Sequence, residues 1–152
     1  MTSRFADEAQ GHLFGLPIPL AQVFGLRGDA IGEDRARVRM PFNALNTNSR
    51  GEVHGGALAV LLDCTLASAA RAHDPLRFGV VTVDMTLHFV APSNHDVVAT
   101  ALCERRGRSL CFVRGEVIGA DGTLLALATG TFKLAERDAS DPAPSSQNQG
   151  RR

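Results

Sequence analysis

The 152-residue chain has no tryptophan and no tyrosine, so its aromatic content of 5 % is all phenylalanine. A pocket made from it offers little stacking and no phenolic hydrogen bonding, which tilts the expected ligand toward aliphatic or phenylacetyl-type groups over hydroxybenzoyl ones. Net charge is also missing: Lys plus Arg and Asp plus Glu number 16 each. No electrostatic case arises for a nucleic-acid partner or an anionic membrane surface. Cysteine is sparse. Cys64, Cys103 and Cys111 form neither a CxxC pair nor an even framework and sit in apolar runs, which predicts reduced, buried thiols of a cytoplasmic protein. No apolar run approaches the ~20 residues that span a bilayer, and the N-terminus carries no charged-then-apolar signal pattern. His, Cys and carboxylates show no metal-ligand spacing, so neither metal nor cofactor is expected. Nothing repeats internally.

What the chain does have is a glycine-rich loop running into a long apolar stretch. Asn48-Ser-Arg-Gly51-Glu-Val-His54-Gly55-Gly56 leads into Ala57–Ala70, with no proline from Val53 to His73. This predicts a loop feeding a helix of more than three turns. Leu58, Val60, Leu61, Leu62, Cys64, Leu66, Ala67 and Ala69 cover every side, as in a helix buried all round. Asp63 alone breaks the pattern. A carboxylate there costs several kcal/mol, on the order of an unpaired buried charge, so it either has a local partner or faces a site. Eight residues separate Gly55 from Asp63, about 12 Å along the axis. One ligand served by both therefore calls for two chains side by side.

Elsewhere the periodicity is mostly that of strands. Residues 1–12 are expected to be loose, 13–134 to form one domain, and 135–152, rich in Asp, Ser, Pro, Gln and Arg, to be a disordered tail. Gly11–Gln22, broken by Pro17 and Pro19, reads as a cover over a core edge or as the border of an entrance. Val23–Ala30 and the alternating Arg35–Met40 are strand candidates. Gly79–Val90 alternates Val81, Val83, Met85, Leu87 and Phe89 with Thr82, Asp84, Thr86 and His88, predicting one face inward and one outward. Val97–Arg106, Ser109–Ile118 and Thr123–Leu134 follow with short joins, as antiparallel hairpins require. The expected class is α+β, an antiparallel sheet with one long helix on one face. The helix's far side is left for a second subunit.

Asn48-x-x-Gly51-x-x-His54-Gly55-Gly56, then Leu62-Asp63, Thr82-Val-Asp-Met85-x-x-x-Phe89 and Pro92, resemble the hotdog-fold thioesterases, specifically the PaaI-like branch of the 4-hydroxybenzoyl-CoA thioesterase superfamily. The similarity spans Gly15 to Leu134. It implies a sheet wrapped around one central helix, a homodimer that pairs into a dimer of dimers, and interfacial sites that hydrolyse acyl-CoA thioesters. By the same resemblance, the Gly55 N–H binds the thioester carbonyl and Asp63 of the other subunit acts as general base or nucleophile. Asn48 orients the water or the carbonyl region, His54 holds the loop, and Thr82 stands beside the carboxylate. Gly56 and Val83 are implied as substrate contacts.

Each residue also has a plainer reading. His54 taken alone is a loop or cap histidine, and Gly55 and Gly56 could serve only close packing. Asp63 could pair with Arg71 or Arg77. Cys64 is a core thiol, with no base at helical spacing. The arginines Arg105, Arg106 and Arg108 make a basic hairpin end, read as a solvated turn before a coenzyme A contact. Alternative functions are a non-catalytic acyl-CoA-binding hotdog module, a hotdog enoyl-thioester hydratase, and a scaffold that uses only its dimer surface.

Overall fold

Arg35–Met40 buries Ala36, Val38 and Met40 and exposes Arg35, Arg37 and Arg39, as its alternation predicts. This strand, β4, lies inside a six-stranded antiparallel sheet in a computed structural model that describes residues 4–143. A short hairpin comes first, β1 (His12–Leu13) and β2 (Leu16–Pro17), followed by helix α1 (Pro19–Val23) and strand β3 (Arg27–Gly32). A 3-10 turn at Ala44–Asn46 precedes the long helix α2 (Gly55–Ala70). Strands β5 (Phe78–Phe89), β6 (Val97–Arg106), β7 (Leu110–Gly119) and β8 (Leu124–Glu136) complete the chain. The sheet order is β3-β4-β6-β7-β8-β5, with α2 packed on one face. The layer architecture is therefore the α+β one expected.

Sequence and structure part company in three places. The strand expected at Val23–Ala30 starts at Arg27, because Pro19 at the first helical position begins a turn of helix that Gly25 ends with a φ of 66°. Residues 5–12 are not loose: Phe5 is buried, and the Glu8 carboxylate accepts the Phe14 and Gly15 N–H groups at 2.7 and 2.8 Å. Strand β8 continues to Glu136, and Arg137 N–H bonds the Arg77 carbonyl, so order extends past Leu134. Most of the expected tail, 144–152, lies outside the described residues.

Helix α2 buries ten of its residues against the sheet, among them Leu58, Leu61, Leu62 and Leu66. It sits close at Gly115, where an added Cβ would come within 2.7 Å of the Leu66 side chain. The helix C-terminus is held by two arginines, which suit the negative end of its dipole. Arg71 is 2 % exposed and donates to the Leu13, Phe14 and Pro75 carbonyls, tying down the β1–β2 turn. Arg106 donates to the Ala69 and Ala70 carbonyls and pairs with Asp34 at 2.5 Å. That pairing fixes the β3–β4 turn, where Glu33 and Asp34 both take positive φ without being glycine. The Pro-broken N-terminal stretch is a cover over this end of the core.

One stripe of α2 remains uncovered: Gly56 is exposed, and Ala59, Val60, Asp63 and Ala67 are only partly buried. Beside it runs β5, the sheet's edge, bonded to β8 alone. Along this edge Val81 and Val83 are each 58 % exposed.

Candidate active site

Strand β5 does not alternate cleanly. Its register with β8 pairs Thr82 with Phe132 and Asp84 with Thr131, leaving Val83 as the extra residue of a bulge. Phe132 is fully buried on the helix side, and so are Ala128 and Ala126 opposite Leu87 and Phe89. Thr82, Leu87 and Phe89 therefore share the helix face. Uninterrupted alternation, as read from the sequence, would have put Thr82 with Asp84 and His88 on the outer face. The bulge corrects this by one residue.

Its consequence is a side-chain pair. Thr82 Oγ1 donates to Asp63 Oδ1 at 2.7 Å. Among the described residues no cation lies within ion-pair distance of Asp63. Both arginines considered as partners are occupied elsewhere, Arg71 by the carbonyls named above and Arg77 by Glu136 at 2.9 Å. Asp63 thus keeps one oxygen held and the other without a donor among the described residues, at the open stripe of the helix. Cys64 next to it is buried, and burial, followed by the Asp63 charge, pushes its thiol up to about 12. It is a core residue, not a nucleophile.

At the other end of α2, His54 is the N-cap. Its Nδ1 accepts the Gly56 N–H at 2.8 Å, and its carbonyl accepts from Ala57 and Leu58. The imidazole must be unprotonated at Nδ1 to do this. Gly55 is left as the first helical residue, and its N–H has no acceptor among the described residues. It is one of the orphan donors of a helix start, at the positive end of the dipole.

The loop before the helix is closed by Asn48. Its Oδ1 accepts the Arg50 and Glu52 N–H groups, and its Nδ2 donates to the Glu52 carboxylate at 3.3 Å. Hydrogen bonds from Arg50, then Asn48, hold that carboxyl below its ordinary range. Asn48 is thus engaged as the staple of its own loop. Gly51, with a φ of 74°, makes the loop's turn possible.

Two further residues stand at the helix start: Asn46, which the sequence did not single out, and Phe89, which it placed in the motif without a role. Asn46 accepts the His54 N–H with its carbonyl, while its Nδ2 is buried without a partner. Phe89 places two ring carbons 3.5 Å from where a Gly55 Cβ would stand. Asn46 comes there by closure of its own loop, and Phe89 by the return of β5. Gly55, His54 and Asn48 thus cluster at one end of α2, and Asp63 with Thr82 forms a second group about 12 Å away. Val83 sits in the bulge beside Thr82, and Gly56 is committed to the cap.

Comparison with known proteins places the chain in one family. Residues 50–126 match the family model described as "Thioesterase superfamily". A candidate esterase of Halobacterium salinarum is 26 % identical over 130 residues, covering 78 % of this chain and 86 % of that one. The structure of a conserved protein from Pseudomonas aeruginosa is similar at 30 % identity and a TM-score of 0.72, covering 76 % of this chain and 93 % of that one. A mutant of the phenylacetic acid degradation protein PaaI from Thermus thermophilus matches at 27 % identity and a TM-score of 0.68, over 76 % and 97 % of the two chains.

Proposed function

The chain belongs to the thioesterase superfamily and has its hotdog fold, and we propose that within that family it hydrolyses acyl-CoA thioesters at a site shared by two copies. Thioester hydrolysis in general is supported by the family and its esterase and thioesterase relatives. The observation that carries the finer reading is the Asp63 carboxylate, paired with no cation among the described residues and held by Thr82 at 2.7 Å.

In this mechanism Thr82 fixes one carboxylate oxygen and the other takes a proton from water. The water oxygen attacks the thioester carbon, and the Gly55 N–H of the second chain donates to the carbonyl oxygen as negative charge develops on it. Collapse of the tetrahedral species breaks the C–S bond. The proton held by Asp63 passes to the departing thiolate, giving a carboxylic acid and free coenzyme A. Attack by Asp63 itself on the carbonyl, with water cleaving the resulting anhydride, uses the same groups. His54 supports the donor by capping the helix, and Asn48 by holding the loop that leads into it; the remaining Nδ2 hydrogen of Asn48 serves water or the carbonyl region. Gly56 and Val83 line the substrate's path.

The dimer follows from the separation of the two groups and from the open edge. Strand β5 carries Thr82 beside Asp63 at one end and Phe89 beside Gly55 at the other. Two β5 edges meeting antiparallel across a two-fold axis bring each chain's Asp63 to the other's Gly55. The same contact covers Val81, Val83 and the helix stripe, which a lone chain leaves exposed. The outer sheet face, with Leu110, Phe112 and Leu127 exposed, is available for a dimer of dimers. The expected partner is otherwise only the acyl-CoA substrate, in the cytoplasm. No helix among the described residues is long and apolar enough to cross a membrane.

The deciding experiment is thiol release from a panel of acyl-CoAs, acetyl to long-chain and phenylacetyl, by wild type and Asp63→Asn. Turnover that falls about 100- to 10,000-fold in the variant is expected. Equal turnover by both would end the assignment. Binding without turnover by wild type would favour the acyl-CoA-binding module, and hydration of enoyl-CoA the hydratase.

A further inference from the structure

We infer that Phe89 is the residue that selects an apolar acyl group, by forming the wall against which that group lies while its carbonyl is held at Gly55. This rests on the thioesterase reading and deepens it. Phe89 ends β5 opposite Ala126, which is fully buried, so the side chain points to the helix side of the sheet. Its Cε1 and Cζ stand 3.5 Å from where a Gly55 Cβ would be, so the ring faces the space that the missing side chain leaves beside the free N–H. Yet Phe89 is 56 % exposed. A ring that borders that space and keeps more than half its surface open is placed to meet what the N–H binds.

The chemistry around the ring decides which part of the thioester that is. A carbonyl oxygen on the Gly55 N–H has two substituents to place, the acyl carbon chain and the sulfur arm with its amides. The helix-facing side of β5 continues from Phe89 to Leu87 and Met85, both partly buried against the core, an apolar run that ends before Thr82. Amide groups laid there would lose their hydrogen bonds to water without replacement, at a cost typical of buried unpaired polar groups. An aliphatic or arylacetyl chain loses nothing and gains contact with the ring.

The test compares wild type, Phe89→Ala and Phe89→Leu in kcat/KM for acetyl-, hexanoyl-, decanoyl- and phenylacetyl-CoA. The Ala variant is expected to lose about 10-fold or more on the decanoyl and phenylacetyl substrates and about 3-fold or less on acetyl-CoA, with Leu restoring most of the aliphatic loss. An equal loss across the series, or none, overturns the inference. Size-exclusion chromatography accompanies it: a Phe89→Ala species lighter than wild type makes the ring a subunit contact, and the inference falls. Should wild type release no thiol at all, the thioesterase reading fails by itself. Phe89 is then judged on binding of non-hydrolysable 2-oxoalkyl thioethers of coenzyme A of the same lengths, where a chain-length-dependent loss of affinity in the Ala variant supports the apolar wall and unchanged affinities overturn it.

Discussion

Thr82 Oγ1 lies 2.7 Å from Asp63 Oδ1, joining the middle of α2 to the edge strand across a bulge at Val83. A hydrogen bond to an ionised group contributes about 1.5–3 kcal/mol. If its part in the reaction is to aim the carboxylate, Thr82→Val lowers kcat about 10- to 100-fold, while Thr82→Ser keeps the hydroxyl and most of the rate. Unchanged kcat in the Val variant removes Thr82 from the machinery.

Gly55 allows the oxyanion donor to be deleted without disturbing the helix. It is the first helical residue, where proline is tolerated, and His54 before it has φ −64° and ψ 138°, the conformation a following proline prefers. Gly55→Pro is expected to fold, by circular dichroism, and to lose about 100- to 1,000-fold in kcat. Gly55→Ala, whose Cβ meets the Phe89 ring at 3.5 Å, keeps the N–H and serves as the control. Full activity in the Pro variant would show that the N–H is not the donor.

His54 acts through its cap. Removing a side-chain N-cap costs about 0.5–2 kcal/mol. His54→Ala should lower the urea midpoint accordingly, and His54→Asn, which can accept the same Gly56 N–H, should recover most of it. A loss of rate in the Asn variant without loss of stability would give the imidazole a role beyond the cap.

Cys64 should be inert. Its thiol, pushed up to about 12 chiefly by burial, stays protonated at neutral pH. Native protein treated with iodoacetamide is expected to show no alkylation at Cys64 by mass spectrometry, and Cys64→Ala to retain kcat. Rapid labelling at neutral pH would contradict this.

Acid should weaken the fold through His73, which stacks on Phe78 with 4.9 Å between ring centroids. Partial desolvation of the exposed ring first, then the Arg106 charge, holds its imidazole below the ordinary value of 6.5. The unfolded chain therefore binds the proton more readily. The contribution is complete above about pH 6.5 and is lost as pH falls through the lowered value. Urea midpoints at pH 7.5 and 5 should fall further apart for wild type than for His73→Gln; identical differences would assign the acid sensitivity elsewhere.

The long helix, the alternation of Arg35–Met40, the hairpins from Val97 onward and the odd position of Asp63 were all legible in the sequence. Each is a local matter of period and turn chemistry, and Asp63 stands out because ionised groups seldom lie in an apolar helix. The loop that precedes it was legible as a motif, though the work divided within it was not: that His54 caps Gly56 while Gly55 stays free is a matter of backbone angles. Thr82 could not be placed at all from periodicity, since the bulge that turns it toward Asp63 arises from pairing with β8, more than forty residues along. Phe89 and Asn46 came to the helix start in the same way, by strand return and loop closure. From Arg35 onward, the helix and strand segments and the carboxylate out of place could be read from the chain, because those depend on neighbours a few residues apart. The side chain that meets that carboxylate, the donor left unpaired and the face left open could not, because those depend on sheet register and on the distance between elements.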